Sequence, residues 1–422
     1  MNRRQDISKG IDWATVGIYF LLVAIGWVAI YANTRIETKS FFDISQNYVR
    51  QFIWIGTSFI LAFMVLLTDA KFFTTFSYYI YGVVMLLLIG VLFIGSVVNG
   101  SKSWYEIGSF QLQPAELGKF AAALAVAKYL SALNLDTRTR RNQMIAAALA
   151  FFPAALILLQ GDTGSALVFG AFFFVLFRFG MPGWILIAGV YVLVLFIFAL
   201  LIDKFLLIGI LFVLAAAVIA LLFRRIKNII QLLILVGGIW LASCLFVLAT
   251  DYVFNNILEP HQQERIMVML GKDVKTGADY NVKQSKIAIG SGGLWGKGPM
   301  KGTFTKGDFV PEQSTDFIFC TIGEEYGFAG STFLMLVYLF LLWRLLMMAE
   351  RQRSKFSRIY AYGVACILFF HVMINVGMTI GLAPVIGIPL PFISYGGSSL
   401  WSFTILLFIM IKLDADRLSI LR

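Results

Sequence analysis

Residues Gly183–Leu201 read GWILIAGVYVLVLFIFALL, a run without a charged side chain. About 20 such residues, each rising 1.5 Å, cross the roughly 30 Å hydrocarbon layer, and a helix satisfies every backbone N–H and C=O from within the run. Working outward in both directions, the same criterion finds eleven more runs, near residues 13–31, 49–67, 75–97, 115–133, 142–160, 163–179, 205–223, 229–253, 315–345, 358–382 and 395–413. The chain therefore reads as an all-α polytopic membrane protein, one integral membrane domain over residues 1–422 with about twelve transmembrane helices. Composition excludes the soluble alternative: 59% of the 422 residues are hydrophobic and 14% charged, against nearly half and about a quarter in soluble domains. The 40 Phe, 16 Tyr and 9 Trp exceed what one soluble core can hide. Cys244, Cys320 and Cys366 lie in apolar runs without metal or redox spacing, so they imply neither a disulfide framework nor a metal site. The first run is too long for a signal-peptide core and lacks a small-residue cleavage site; it is expected to stay as a helix.

The net charge of +11 would suggest nucleic acid in a soluble protein, but in a membrane protein it is first a topology signal. With the N-terminus inside, twenty basic residues fall in inner segments, among them Arg138, Arg140 and Arg141, Arg224 to Lys227, and Arg351 to Arg358. Only Arg35, Lys39, Arg50, Lys102 and Lys204 fall in short outer loops. Both termini are thus expected inside, and the large loop 254–314 before the tenth helix outside, its own charges carrying no weight because long loops translocate regardless of charge.

With so few charges, each ionisable residue near the membrane is a functional candidate. Asp316 sits at the mouth of the tenth run, in Ser314-Thr315-Asp316-Phe317-Ile318-Phe319. A helix N-cap would explain it structurally. Ser314 and Thr315 already offer capping oxygens, however, and partial desolvation beside Phe-Ile-Phe makes a carboxylate a better proton acceptor. Glu324 and Glu325 lie about 12 Å further along the same helix, where two adjacent acids cannot both face lipid. Glu116 and Lys119, spaced i,i+3 after Gln113-Pro114, share a helix face; they pair structurally or together reach a bound phosphate. Asp162, in Gly161-Asp162-Thr163-Gly164, fits a plain turn. The segment Gly290-Ser291-Gly292-Gly293-Leu294-Trp295-Gly296-Lys297-Gly298 has the look of a phosphate loop, yet a Walker pattern needs Gly at Ser291 and Ser or Thr at Gly298. Its glycines permit close backbone approach to a ligand or to a packed helix, with Lys297 and Lys301 alongside. His261 and His371 are too few for a His-based metal site and are expected to be satisfied structural histidines.

Several of these stretches together resemble the SEDS family (shape, elongation, division, sporulation). They are Gln113-Pro114-Ala115-Glu116 with Lys119, Asp162-Thr163-Gly164-Ser165-Ala166, Gln284-Ser285-Lys286 through Gly293-Leu294, Thr315-Asp316-Phe317-Ile318-Phe319, Gly323-Glu324-Glu325-Tyr326-Gly327-Phe328, and Asn375-Val376-Gly377-Met378 through Pro389 to Ser399. The wording of 284–293 is closer to the family's rod-shape branch than to its division branch. The chain departs from the family pattern at Ser103, Gly161, Phe304 and Ser314, where Arg, Pro, Gln and His are usual.

The resemblance implies a core of ten helices, so the two in excess suggest an inserted pair within 183–227. It further implies a peptidoglycan glycosyltransferase that polymerises lipid II into glycan strands during cell elongation, at the outer face of the bacterial cytoplasmic membrane. Its partners would be lipid II, membrane lipids and a class B penicillin-binding transpeptidase, and not nucleic acid. The family's essential acid falls on Asp316, which would act as general base on the acceptor 4-hydroxyl while the donor anomeric carbon inverts. The departing polyprenyl pyrophosphate needs cations. Lys119, Arg265, Lys286 and Lys297 are the candidates, with Glu116, Asp162 and Glu325 in support and a divalent cation, Mg or Mn, as an optional helper. The competing readings are a lipid II flippase, whose charges would sit at midplane, and a noncatalytic scaffold of the elongation machinery, in which Asp316 could be neutralised without loss of growth.

Overall fold

The computed structural model describes residues 10–35, 40–98, 100–108, 110–223, 228–256, 263, 267, 277–307 and 309–417. A helix occupies each of the twelve apolar stretches. In chain order these are α1 (Trp13–Thr34), α2 (Asn47–Leu67), α3 (Ala70–Ile94), α4 (Pro114–Leu130), α5 (Arg140–Leu159), and a broken span of α6 (Thr163–Val168) and α7 (Phe172–Arg178) around a 3₁₀ turn at Phe169–Ala171. There follow α8 (Gly183–Leu201), α9 (Lys204–Leu222), α10 (Ile229–Asn256), the loop helices α11 (Gly277–Ser291) and α12 (Thr303–Lys306), and then α13 (Ile318–Glu350), α14 (Lys355–Thr379) and α15 (Gly397–Ala415). Among the described residues, ten of these helices are long and apolar enough to cross a membrane; α4 and the broken span are shorter. The protein is a multi-pass membrane protein.

Two features depart from an all-helical chain with a long outer loop. A three-stranded antiparallel sheet, β1 (Ser96–Val98), β2 (Ser101–Ile107) and β3 (Phe110–Leu112), follows α3. Its Lys102 N–H donates to Gln160 O at 2.9 Å, tying β2 to the end of α5. Within the expected loop 254–314, residues 277–291 are helical instead of open chain.

The chain divides into two compact units, Met1–Met181 with Tyr280–Arg422, and Pro182–Asp279. In the second, α8, α9 and α10 pack around Leu195, Leu207 and Val247. Lys204 pairs with Asp251 at 2.9 Å and Tyr191 hydrogen-bonds Ser243 at 2.9 Å. Helices α8 and α9 bury one residue each and expose Trp184, Phe205, Val213 and Leu221, a surface suited to lipid and not to water. These two helices occupy the stretch 183–227 within which the sequence suggested an inserted pair.

In the first unit α4 is the buried element. Its Ala121, Ala122, Ala123, Ala125 and Ala127 are all inaccessible, and such small side chains let neighbouring helices approach closely where there is no hydrophobic drive between them. Pro114 at the first helical position and Glu116 in the first turn suit the helix start, where an N–H is spare and the dipole favours an acid. At the opposite end, Asp12 accepts from Arg344 Nη2 at 2.6 and 2.7 Å, and Arg351 joins Asp12 to Asp414. This ion cluster ties the start of α1 to the ends of α13 and α15.

Candidate functional site

The chain from Pro311 to Phe317 runs in turns, and α13 begins only at Ile318, with Phe317 at the cap position and no side-chain cap bond. Asp316 therefore lies one residue before the cap position and is not the helix N-cap. Its turn is instead pinned by groups remote in sequence. Asn375 Nδ2 of α14 donates to Asp316 O at 2.8 Å and to Ile388 O at 2.7 Å. Ser394 Oγ donates to Thr315 O at 2.5 Å, and Tyr395 N–H to Ser314 O at 2.9 Å. Asn33 of α1 donates to Thr321 Oγ1 at 2.6 Å. The carboxylate is half-buried. Gly387, at φ +72°, approaches so closely that a Cβ there would lie 3.1 Å from Asp316 Oδ2.

Glu116 and Lys119 do pair, at 2.7 Å, with both side chains 3% exposed. The Lys119 ammonium is also 3.0 Å from His371 Nε2 and 4.4 Å from the centre of the Phe403 ring, while His371 Nδ1 lies 3.2 Å from Pro389 O. A buried charge is tolerated only when paired and hydrogen-bonded, and this ammonium is enclosed on each side by such partners. Asp162 caps α6, accepting from Ser165 N–H at 2.9 Å and Ser165 Oγ at 2.7 Å. It also accepts from Gln113 Nε2 at 2.8 Å, so the turn aspartate braces the start of α4 as well.

One segment, residues 381–396, reaches all of these groups. Gly387 faces Asp316, Pro389 meets His371 and through it Lys119, and a Cβ on Gly164, beside Asp162, would strike Ile386. Gly381, at φ +79°, lies so close to Lys286 that a Cβ would be 2.9 Å from its Nζ. Lys286 is an exposed residue of α11, which is docked by Ser285 Oγ donating to Thr379 O at 2.9 Å.

Glu325 and Lys297 sit apart from that segment, in a clasp whose central residue is Glu324. Glu324 Oε1 accepts from Lys297 Nζ at 2.7 Å, Thr303 N–H at 2.8 Å and Phe304 N–H at 3.0 Å; Oε2 accepts from Thr305 N–H and Oγ1, both at 2.9 Å. Among the described residues Glu325 accepts only from Met300 N–H, at 3.0 Å, and its buried Oε2 meets no partner. The glycine-rich segment packs on a helix, the second of its two options. Gly327 breaks α13 at φ 64°, ψ −158°, and the loop backbone fills the break. Lys297 and Gly298 N–H donate to Glu324 and Glu325 O, while Gly293 and Leu294 O accept from Phe328 and Ala329 N–H. Polar backbone opened inside a span must be repaired in this way.

Arg265 lies outside the described residues. Among the described residues, no three His, Cys, Asp or Glu side chains converge as metal ligands would. Sequence reasoning singled out Glu324 without giving it a site role, read His371 as structural and gave Asn375 no role of its own. Glu324 carried the signal of an acid at depth, whereas the contacts of the other two cross 252 and 59 residues of chain and leave no local trace.

The family model named for FtsW, RodA and SpoVE and described as "Cell cycle protein" matches residues 12–208 and 207–418. The peptidoglycan glycosyltransferase MrdB of Escherichia coli is 36% identical over 324 residues, 76% of this chain and 73% of that protein. The peptidoglycan glycosyltransferase RodA of Treponema pallidum is 31% identical over 96% of this chain and 98% of its own length. A solved structure described as showing structural coordination of polymerization and crosslinking by a peptidoglycan synthase complex superposes with TM-score 0.70 at 26% identity, covering 96% of this chain and 98% of that one. The rod shape determining protein RodA of Thermus thermophilus gives 0.62 at 25% identity, over 96% and 97%. The chain belongs to the FtsW/RodA/SpoVE family, the SEDS proteins.

Proposed function

We propose that the chain is a peptidoglycan glycosyltransferase that polymerises lipid II at the outer face of the bacterial cytoplasmic membrane, with Asp316 as general base. The observation that carries this is the Asp316 turn: a half-buried carboxylate whose backbone is gripped by α14 and by residues 394 and 395. Such preorganisation is what proton abstraction at a fixed distance requires. The acceptor 4-hydroxyl oxygen attacks C1 of the donor sugar, its proton passes to Asp316, and the C1–oxygen bond to polyprenyl pyrophosphate breaks with inversion. In this reading Lys286, exposed beside the same segment, meets the anionic leaving group. Lys119, enclosed by Glu116, His371 and Phe403, acts as a strut for the site and not as a phosphate contact, and Lys297 serves Glu324 in the same manner. Asp162 and Glu325 support the fold around them. A divalent ion, where used, would take most of its ligands from substrate oxygens.

The bias of basic residues supports both termini being inside and Asp316 outside, where lipid II is presented. Similarity to the peptidoglycan synthase complex supports a class B penicillin-binding transpeptidase as partner. Asp316→Asn, inserted at normal levels in liposomes, is expected to polymerise purified lipid II about 10²–10⁴-fold more slowly. Polymerisation at the wild-type rate would sink the base assignment.

A further inference from the structure

The two ring nitrogens of His371 face groups of opposite kind. Pro389 O, 3.2 Å from Nδ1, can only accept a hydrogen bond, so Nδ1 carries the proton. The Lys119 ammonium, 3.0 Å from Nε2, can only donate, so Nε2 offers its lone pair. A single tautomer of the neutral imidazole satisfies both contacts. The ring stands edge-on to Phe403, 4.8 Å between centroids, and the same Phe403 face covers the ammonium. One turn further along α14, Asn375 donates to Ile388 O and to Asp316 O. Two residues spaced i,i+4 on one helix face therefore grip the successive carbonyls of Ile388 and Pro389, and they reach Lys119 on one side and the Asp316 turn on the other.

We propose that His371 is a positioning residue for the glycosyl transfer. By accepting from Lys119 while donating to Pro389 O, it locks the Glu116–Lys119 pair to the segment that carries Gly387 against Asp316, and so sets where the base stands. The inference rests on the reading of Asp316 as the base.

The test uses three variants of the full-length protein in liposomes with purified lipid II, each checked for insertion and melting temperature. In His371→Gln the side-chain oxygen reaches the Nε2 position and still accepts from Lys119. In His371→Asn the amide nitrogen takes the Nδ1 position and donates to Pro389 O, but nothing reaches Lys119. His371→Phe fills the space and makes neither bond. The glutamine variant keeps only the Lys119 end of the link and the asparagine variant only the Pro389 end, so each, like the phenylalanine variant, is expected at least about tenfold below wild-type kcat with KM changed less, one decade corresponding to about 1.4 kcal/mol of barrier. In a Lys119→Met background His371→Asn should cost nothing further, because the histidine acts through the lysine.

Full activity in the phenylalanine variant would reduce His371 to packing and overturn the proposal. So would wild-type kcat in either the glutamine or the asparagine variant, since one intact bond would then suffice. If the phenylalanine variant fails to insert, the glutamine–asparagine comparison still decides. Asp316→Asn is run alongside: if it stays active, the base reading falls, whereas an inactive Asp316→Asn with unaffected His371 variants removes only the present inference.

Discussion

Replacing Glu324 by glutamine probes the clasp at the end of α13 most directly. The carboxylate is fully buried and takes five hydrogen bonds of 3.0 Å or less, three from consecutive backbone amides of residues 303–305 and one from Lys297. Glutamine keeps one acceptor oxygen and substitutes an amide donor for the other. If Oε1 is retained, Thr305 N–H faces a donor; if the side chain flips, Thr303 and Phe304 N–H and the Lys297 ammonium do. At least one buried N–H is thus left without an acceptor, at about 1–3 kcal/mol, and the remaining bonds lose their charge assistance, at about 1 kcal/mol or more. A total near 3 kcal/mol corresponds to about a hundredfold shift in local opening. Amide hydrogen exchange at residues 303–305 in nanodiscs should accelerate by that factor in Glu324→Gln. Glu325→Gln, which disturbs a single bond to Met300, should leave those amides within about threefold of wild type, since one modest bond is worth about 1 kcal/mol or less net. Equal exchange at 303–305 in wild type and Glu324→Gln would refute the clasp.

Three other outcomes are expected. Gly387→Ala must adopt φ +72° with its methyl 3.1 Å from Asp316 Oδ2; displacing the base by a fraction of an ångström should lower kcat by about tenfold or more with little change in expression. Lys286→Gln should lower kcat/KM for lipid II by about tenfold, the value of one charge-assisted contact to pyrophosphate, with melting temperature unchanged. At the other end of the bundle, burial pushes the Asp12 carboxyl up, but the hydrogen bond and charge of Arg344 and the charge of Arg351 outweigh it and hold the group below its ordinary 3.8. A depressed native pKa stabilises above the unfolded value and is lost as pH falls through the native one. The melting-temperature gap between wild type and Asp12→Asn in detergent should therefore hold through neutral pH and shrink only below about pH 4.

The helices were legible because lipid imposes a simple rule on the backbone, and even α8 and α9, which pack little, follow it. The break at Phe169–Ala171 and the sheet at 96–112 were not, since neither a 3₁₀ turn inside an apolar run nor a three-residue strand has a distinctive periodicity. The pairing of Glu116 with Lys119 was readable from an i,i+3 spacing on one helix. The roles of Glu324 and Glu325 were not separable by sequence: adjacent acids on a helix point about 100° apart, and only the path of the glycine-rich loop decides which one it closes around. His371 was rightly expected to be satisfied. What it satisfies lies 252 residues away, beyond any local pattern.

The break at Gly327 also has a mechanical meaning. A continuous helix is a stiff rod that passes tilt and torque from one membrane face to the other. Here residues 293–298 hold both sides of the break, Glu324 and Glu325 O before it and Phe328 and Ala329 N–H after it. Bending of the long shaft below Gly327, by lipid or by a neighbouring helix, is taken up at the break and shared with the loop. Tilt of the shaft therefore reaches the portion beside the Asp316 turn through these four hydrogen bonds instead of through a continuous helix.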